Sequence, residues 1–222
     1  MERRHVPDPG GPPNARTVAS YELIAEDYAR ETAGVGLSEV LTRLVRAVPT
    51  GEVLEIGSGP GWDADALEEA GLRVRRTDIT QAFLDLQAAR GKRVERLDVV
   101  TDDLGGPYDG VVALHVLQHV EPQHLPGVLA RISTSLRPHG RFAVAVRLGE
   151  GTGWEVGESG NPYFRALWSE AQFVAEIERA GMSVEWSVQS SDEEQSSWLT
   201  LLAATPARQD DLDAPTGRIS PE

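Results

Sequence analysis

Short apolar runs and amphipathic segments alternate through the middle of the chain. Five strand-favouring runs stand out, at 53–56, 72–77, 93–97, 111–114 and 142–146. Patterns in which apolar residues recur every three or four positions, typical of helices, cover 62–70, 81–90 and 122–136. This alternation predicts right-handed βαβ units and an open, mostly parallel sheet covered by helices on both faces.

The segment before the first strand predicts two helices. Residues 1–16 are rich in proline and glycine without apolar periodicity, so we expect a disordered tail and order from Thr17 onwards. Ser20 is a candidate N-cap for a helix from Tyr21 to about Arg30. A second amphipathic helix is expected over 38–48.

After Arg147 the alternation stops. A glycine-rich stretch and a loop to Arg165 are expected, and then a helix that begins with a capping box of Ser169 and Gln172. Two strand-like runs, 183–189 and 197–203, predict an antiparallel pair at the sheet edge. The acidic residues 206–222 predict a second disordered tail, which leaves one folded domain over 17–205.

Composition narrows the classes of function. A length of 222 residues suits one domain with a full core, and a formal net charge of −14 argues against a nucleic-acid partner. The chain has no cysteine, no apolar run of membrane-spanning length and no signal-peptide core, which predicts no membrane partner and is compatible with the cytoplasm. No group of His, Asp and Glu has convincing metal-ligand spacing.

The first strand breaks into a glycine-rich turn that opens the next helix. The sequence there is Val53–Leu54–Glu55–Ile56–Gly57–Ser58–Gly59–Pro60–Gly61. Alternating glycines let a ligand approach the main chain closely, and the free N–H groups of the next helix suit polar or anionic ligand groups. A nucleotide-type cofactor site is therefore predicted, with a plain strand-to-helix turn as the alternative.

The same stretch, 55–61, closely resembles the E-x-G-x-G-x-G signature of class I S-adenosylmethionine-dependent methyltransferases. Asp78 after the second strand, Asp98 after the third and the closing antiparallel pair agree with it, and the resemblance covers roughly Tyr21 to Ala203. It implies a Rossmann-like α/β three-layer sandwich. Its sheet would be mostly parallel and seven-stranded with an antiparallel edge pair, under an N-terminal helical lid.

A dinucleotide-dependent dehydrogenase is the rival interpretation. Its fingerprint is G-x-G-x-x-G, whereas the third glycine here comes one position early, at Gly61. Asp78 would suit either cofactor, because a carboxylate there accepts hydrogen bonds from ribose hydroxyls. The remaining length does not accommodate a second nucleotide-binding half, which favours the methyltransferase.

The resemblance implies a set of residues that bind S-adenosylmethionine. They are Tyr21, Tyr28, Glu55, Gly57, Ser58, Gly59, Gly61, Asp78, Ile79, Asp98, Val99 and Leu114. The loop would hold the methionine portion, with Glu55 at its amino group. Asp78 would bind ribose, Ile79 would pack on adenine, Asp98 and Val99 would fix the base, and Leu114 would lie near the sulfonium.

Some of these residues have a structural alternative. Asp78 and Asp98 each precede a possible helix and could be caps. Tyr21 and Tyr28 lie in a segment similar to the Y-x-x-I-A-x-x-Y element of small-molecule methyltransferases, where it forms a lid over the cofactor. Their alternative is the apolar face of a docked helix.

The methyl acceptor is assigned to residues after the fourth and fifth strands. His119 is the candidate catalytic base because its ordinary pKa suits proton transfer at neutral pH, with a histidine bonded to backbone as the alternative. Arg147 would pair with an acidic substrate group or with Glu150. The aromatic residues after it suggest an apolar or aromatic acceptor, or a packed lid cluster without substrate contact. They are Trp154, Tyr163, Phe164 and Trp168.

Together these features predict an enzyme that transfers methyl from S-adenosylmethionine to an O or N nucleophile of a small molecule, leaving S-adenosylhomocysteine. In-line displacement of a neutral thioether needs proximity and at most one base. A role in natural-product biosynthesis fits the lid element. The alternatives are a peptide or protein carboxyl or amine methyltransferase, and a non-catalytic S-adenosylmethionine-binding regulatory protein.

Overall fold

The computed structural model describes residues 13–34, 36–157, 160–192 and 196–207. The two predicted tails, 1–16 and 206–222, therefore lie mostly outside the described residues. Those of their residues that are described belong to a helix at one end and to the chain that follows the last strand at the other.

Helices and strands follow the predicted alternation. The helices are α1 Pro13–Glu31, α2 Glu39–Ala47, α3 Trp62–Glu69, α4 Gln81–Ala89, α5 Leu125–Ser135 and α6 Glu170–Arg179. The strands are β1 Glu52–Ile56, β2 Arg73–Asp78, β3 Val94–Arg96, β4 Tyr108–Leu114, β5 Leu136–Arg147, β6 Thr152–Val156, β7 Pro162–Ala166, β8 Ser183–Ser191 and β9 Ser197–Ala204. A short 3-10 helix spans Leu117–His119.

Seven strands form one sheet in the order β3-β2-β1-β4-β5-β9-β8. The first five strands of the chain pair in parallel, whereas β9 runs antiparallel to β5 and β8 antiparallel to β9. The predicted mostly parallel sheet with an antiparallel edge pair is confirmed. The strand order reverses between β1 and β4. At such a switch point the carboxyl ends of the two strands form a crevice in which ligands bind.

Both faces of the sheet are covered, as the buried strand patterns predict. Along β5, Phe142 and Val144 join the large core that includes Ile132 of α5 and Phe173 of α6. The intervening Ala143 faces the smaller core formed with α2. These side chains are fully buried, and each large apolar one stabilises the fold by about 1.5–3 kcal/mol. The three-layer architecture follows from this alternation.

The first helix is longer than predicted. It begins at Pro13, so Ser20 lies within it and is not an N-cap. The Ser20 hydroxyl instead donates a hydrogen bond to the Pro162 carbonyl oxygen at 2.6 Å. A contact to a distant strand, which local pattern cannot show, therefore replaces the expected cap.

Three further segments differ from the sequence expectation. The helix predicted from Pro122 begins at Leu125, with a different proline in its first turn. The fifth strand extends back to Leu136, through the predicted turn. The expected loop after Arg147 contains the hairpin of β6 and β7, which forms a separate two-stranded sheet.

The remaining helix predictions hold. Ser169 and Gln172 form the predicted capping box at the start of α6. Ser38 caps α2, with its side chain accepting from the Leu41 N–H. Among the described residues, none of the helices combines the length and apolarity needed to cross a membrane.

Candidate functional site

A cavity lies at the carboxyl ends of the parallel strands, beneath α1. It contains about 780 Å³ of empty space, part of it open to solvent, which is within the range of small-molecule sites. Predicted site residues that line it are Tyr21, Tyr28, Gly57, Gly59, Asp78, Ile79, Asp98, Val99, Leu114 and His119. The structure therefore brings most of the predicted cofactor residues to one place.

The glycine loop has little room for side chains. Gly57 has a φ of +66°, and a Cβ there would lie far inside van der Waals contact with Cγ2 of Val116. Gly61 turns into α3, and a Cβ there would come within 2.6 Å of Oε1 of Gln87. A side chain at Gly59 would instead meet open space, with the Tyr28 ring 4.0 Å away. Gly59 is thus the point where the loop backbone is open to a ligand.

Two predicted loop residues stabilise the turn from outside the cavity wall. The Ser58 hydroxyl accepts from the Gln87 amide at 2.7 Å, and the same amide donates to the Gly59 carbonyl oxygen at 2.8 Å. The carbonyl oxygen of Gly61 accepts a hydrogen bond from the buried Arg76 guanidinium at 3.3 Å. Ser58 and Gly61 therefore set the shape of the loop.

Asp78 joins the end of β2 to the glycine loop. Its Oδ2 accepts from the Gly59 N–H at 2.8 Å, and its Oδ1 accepts from the Thr80 N–H at 2.8 Å. Burial raises the pKa of this carboxyl, and the backbone N–H donors oppose that rise. Asp78 therefore lines the cavity, but it is not the cap of α4, whose N-cap is Thr80.

Asp98 occupies the next strand end. Its Oδ1 accepts from the Val100 N–H at 2.9 Å, and its Oδ2 lies 3.4 Å from the amide nitrogen of Asn14 on α1. Arg131 of α5 donates to the carbonyl oxygens of Val99 and Val100 and so fixes the turn. The turn presents a carboxylate and apolar side chains to the same end of the cavity.

Glu55 lies at the start of the motif but is not among the described residues that line the cavity. It is 3% exposed, and its Oε2 has no hydrogen-bond partner among the described residues. Burial raises the pKa of this carboxyl well above its ordinary range, and the nearby Asp63 adds to the rise. The Arg76 cation opposes this rise only in part, so burial favours the neutral form of the Glu55 carboxyl.

The N-terminal helix covers the cavity as a lid. Tyr21 and Tyr28 line it, with ring centroids 5.9 Å apart, and both rings pack on Phe83 of α4. The Thr17 hydroxyl accepts from the Phe164 N–H at 3.0 Å. The lid position is thus established, and β7 holds it there.

The other side of α1 is fastened to α4. The Glu22 carboxylate accepts from the backbone N–H groups of Gln81 at 2.6 Å and of Ala82 at 2.8 Å. These are free donors at a helix N-terminus, where a carboxylate also interacts favourably with the helix dipole. Glu22 therefore closes the lid onto the helix whose N-terminal end adjoins Asp78.

His119 lines the cavity between the lid and β7. Its Nδ1 is 2.9 Å from the Phe164 carbonyl oxygen, and its Nε2 is 3.2 Å from the Tyr21 hydroxyl. A carbonyl oxygen only accepts, so Nδ1 carries the proton and Nε2 accepts from Tyr21. Burial lowers the pKa of His119 well below its ordinary value, and the Arg165 cation lowers it further. The imidazole is therefore neutral at neutral pH.

The predicted acceptor residues do not line the cavity. Among the described lining residues, none is Arg147, Trp154, Tyr163, Phe164 or Trp168. Arg147 pairs with Glu155 at 2.9 Å, not with Glu150, and also donates to the Ser196 hydroxyl at 2.5 Å. Trp154 and Phe164 form a small buried cluster in the β6–β7 hairpin, against which Trp168 packs. Tyr163 contacts Tyr21, with ring centroids 5.0 Å apart.

Several residues of the site were missed by the sequence interpretation. Asn14 lies in the segment that was assigned to the disordered tail, and Thr17 precedes the predicted start of the helix, but both belong to α1 and line the cavity together with Phe83 of α4. Arg165 was taken as the end of a loop, but its Nη1 is 2.9 Å from both ring nitrogens of His119. Alternation around Trp154 with the Gly160–Asn161–Pro162 turn residues is the signal that would have indicated the hairpin. Within the described ranges, no group of three or more His, Asp or Glu side chains could hold a metal ion.

Residues 54–142 match a family model described as a methyltransferase domain. The chain is 24% identical over 136 residues to a ubiquinone biosynthesis O-methyltransferase of Rickettsia conorii, which covers 58% of this chain and 46% of that protein. It is 29% identical over 126 residues to a protein-L-isoaspartate O-methyltransferase of Chlorobaculum tepidum, covering 57% and 51% respectively. The chain thus spans about half the length of the curated relatives it matches.

Solved structures show the same fold. The Burkholderia thailandensis 1,6-didemethyltoxoflavin-N1-methyltransferase, solved with 1,6-didemethyltoxoflavin and S-adenosylhomocysteine bound, has a TM-score of 0.69 at 21% identity, covering 92% of this chain and 95% of that one. The domain match begins inside β1 and continues to β5, so it includes the glycine loop, Asp78 and Asp98. Over residues 54–142 the chain therefore matches a methyltransferase domain, and it shares its fold with a methyltransferase that was solved with S-adenosylhomocysteine bound.

Proposed function

We propose that this protein transfers a methyl group from S-adenosylmethionine to an O or N nucleophile of a small molecule. The observation that carries the proposal is the meeting of the open glycine loop, Asp78 and Asp98 in one cavity beneath a tyrosine-bearing lid. The similar structure from Burkholderia thailandensis holds S-adenosylhomocysteine, the product that S-adenosylmethionine leaves after methyl transfer.

The cofactor half of the cavity fits this molecule. Asp78 and Asp98 each have carboxylate lone pairs left after their backbone hydrogen bonds, and such oxygens suit ribose hydroxyls and an exocyclic amino group. Ile79, Val99 and Phe83 supply apolar surface for a purine ring. Gly59 leaves backbone open to the methionine portion. Ser58 and Gly61 hold the loop in this shape from outside the cavity.

The residues in the rest of the cavity suit an in-line methyl transfer, which depends on holding the acceptor close to the methyl group. Bound S-adenosylmethionine supplies an electrophilic methyl group and a neutral thioether leaving group. Leu114 ends β4 at the cavity wall, and Tyr21 and His119 lie beside it under the lid. The docked lid excludes water and limits the orientations of an acceptor, which can supply several kcal/mol of the barrier reduction. In this proposal His119 positions Tyr21 and the acceptor.

A small acceptor is supported by the closed cover of the cavity. Helix α1 is fastened to both β7 and α4 by side-chain contacts to backbone, so the helix lies over the cavity at Tyr21. The aromatic hairpin packs on the lid and gives it a rigid base. Two of the similar proteins are named for small molecules. One is a methyltransferase of ubiquinone biosynthesis, and the other was solved with 1,6-didemethyltoxoflavin bound. Natural-product modification is consistent with these likenesses.

The test is a product search with the full chain. The protein is incubated with methyl-labelled S-adenosylmethionine and a library of small metabolites, and labelled products are identified by mass spectrometry. We expect labelled small molecules, and their loss in Asp98→Ala. Label in proteins alone would support a protein methyltransferase. S-adenosylmethionine binding without any transfer would support a regulatory protein, and binding of NAD in its place would overturn the proposal.

A further inference from the structure

Arg165 brings a positive charge to the acceptor end of the cavity. Its Nη1 lies 2.9 Å from both ring nitrogens of His119, so the guanidinium is placed against the imidazole. The guanidinium also interacts with the hydroxyl of Tyr21, and it lies 5.4 Å from the centre of the Tyr163 ring. Two of the residues it contacts, His119 and Tyr21, form the cavity wall.

The positive charge of Arg165 is only partly balanced by the acidic groups of the described residues. Its Nε is buried and makes no hydrogen bond among the described residues. Among the described residues its acidic partner is Glu155, whose Oε2 lies 3.6 Å from Nε of Arg165 but 2.9 Å from the Arg147 guanidinium. The Arg165 side chain is only 15% exposed, so solvent screens its charge weakly. An anion in the cavity would therefore gain from its field.

His119 is poorly placed to accept a proton. Its Nδ1 proton is committed to the Phe164 carbonyl oxygen, and a second proton on Nε2 would create an imidazolium against the Arg165 cation. The titratable groups around it are Tyr21 from the lid, His115 after β4, and Arg165 from β7, none of which is an acid that would stabilise the imidazolium. An acceptor that must lose a proton to His119 is disfavoured.

We propose that the methyl acceptor is a small acid that binds and reacts as its anion, held in the field of Arg165 across the His119 ring. The inference rests on the proposed function and names the class of its acceptor. Carboxylic acids, acidic phenols or enols, and acidic ring N–H groups belong to this class. Neutral alcohols, which need a base, do not.

Methyl transfer to an anionic acceptor needs no base from the protein. A lone pair of the anionic oxygen or nitrogen forms the new bond to the methyl carbon, and the carbon–sulfur bond breaks with its electron pair going to sulfur. The anion and the sulfonium become two neutral products, and no proton moves to or from the protein. Because Arg165 attracts the anion in the ground state, its removal should raise KM more than it lowers kcat.

The experiment measures anion preference with S-adenosylhomocysteine bound. The full chain, saturated with S-adenosylhomocysteine, is titrated calorimetrically with benzoate and with its neutral analogue benzamide. We expect benzoate to bind about tenfold tighter or more in the wild type. The ratio should fall towards one in Arg165→Gln and be largely restored in Arg165→Lys. Arg93→Gln, at a side chain that is 89% exposed, is the matched control and should leave the ratio unchanged.

The outcomes separate this inference from the proposed function. Equal binding of the two probes, binding of neither, or an unchanged ratio in Arg165→Gln would overturn the anionic acceptor while leaving the cofactor site intact. Failure to bind S-adenosylhomocysteine at all would overturn the proposed function itself. Melting temperature and S-adenosylhomocysteine affinity check that Arg165→Gln folds. If it does not fold, ¹⁵N NMR of wild-type His119 decides, because an imidazolium near neutral pH would contradict the inference.

Discussion

The carboxylate of Asp78 accepts a hydrogen bond from the backbone N–H of Gly59 at 2.8 Å. This bond joins the end of β2 to the glycine loop that follows β1, so the two parts of the cofactor site are held in one arrangement. The second oxygen accepts from Thr80, at the residue before α4 begins. Asp78 therefore organises the backbone of the site as well as facing the cavity.

Replacing Asp78 with Asn should affect both stability and cofactor binding. An amide can accept from only one of the two backbone donors, so one N–H loses its partner. We expect a loss of about 1–3 kcal/mol in the free energy of unfolding and about a tenfold or greater loss of S-adenosylhomocysteine affinity. Denaturant titration and calorimetry measure the two effects. Asp85→Asn, on the exposed face of α4, is the matched control. Wild-type affinity in Asp78→Asn would remove its role at the cofactor.

Replacing Glu55 with Gln should stabilise the protein at neutral and alkaline pH. The pKa of the Glu55 carboxyl is raised in the folded state, so above its ordinary pKa the folded chain binds more protons than the unfolded chain. The free energy of unfolding therefore falls as pH rises through that interval. Glu55→Gln removes this fall and should gain about 1 kcal/mol or more near pH 8. Urea titrations of both proteins from about pH 5 to 8 measure it. A constant difference across this range would contradict the assigned shift.

Gly57→Ala should damage the loop in a way that a second substitution relieves. The new methyl group would overlap the Val116 side chain, and the left-handed backbone at φ +66° adds strain. We expect a loss of about 2–4 kcal/mol in the free energy of unfolding, with reduced cofactor affinity. Val116→Ala in the same chain should recover part of the loss, because it removes the overlapping atoms. Additive losses in the double variant would show that the two side chains do not meet.

Glu22→Gln should loosen the lid. The carboxylate holds two backbone N–H groups at the start of α4, and an amide oxygen is a weaker acceptor there. We expect S-adenosylhomocysteine to dissociate several times faster, with little change in melting temperature. Stopped-flow displacement measures the rate. Glu26→Gln, at an exposed position one turn further along α1, is the control, and an equal change in both variants would argue against a specific contact.

The sheet and the cofactor end of the site follow closely from the sequence. Strand ends are visible as apolar runs, and parallel strands bring their carboxyl ends together, so Asp78 and Asp98 had to be neighbours of the glycine loop. The local sequence pattern is sufficient to place these residues, because each one directly follows the strand that positions it. The same logic predicted Leu114 and His119 after β4, which also line the cavity.

The acceptor end depends on contacts between distant segments. The position of Arg165 is set by the pairing of Gly153 with Arg165 in the hairpin, and its approach to His119 joins residues 46 positions apart. Arg147 lies at the end of β5 as predicted, but its guanidinium forms an ion pair with Glu155 of the hairpin. Ser20 likewise meets Pro162 and not its own helix terminus. Alternation around Trp154 indicates the hairpin itself, but no periodicity in the chain encodes the contacts of the hairpin with His119, Arg147 and Ser20.

We infer that the cavity beneath α1 binds S-adenosylmethionine through Asp78 and Asp98. Calorimetric titration of the full chain with S-adenosylhomocysteine tests it most directly, with Asp98→Ala as the variant and NAD as the competing ligand. We predict one binding site for S-adenosylhomocysteine, an affinity reduced about tenfold or more in Asp98→Ala, and no binding of NAD. Tight binding of NAD, or S-adenosylhomocysteine affinity unaffected by Asp98→Ala, would contradict the account.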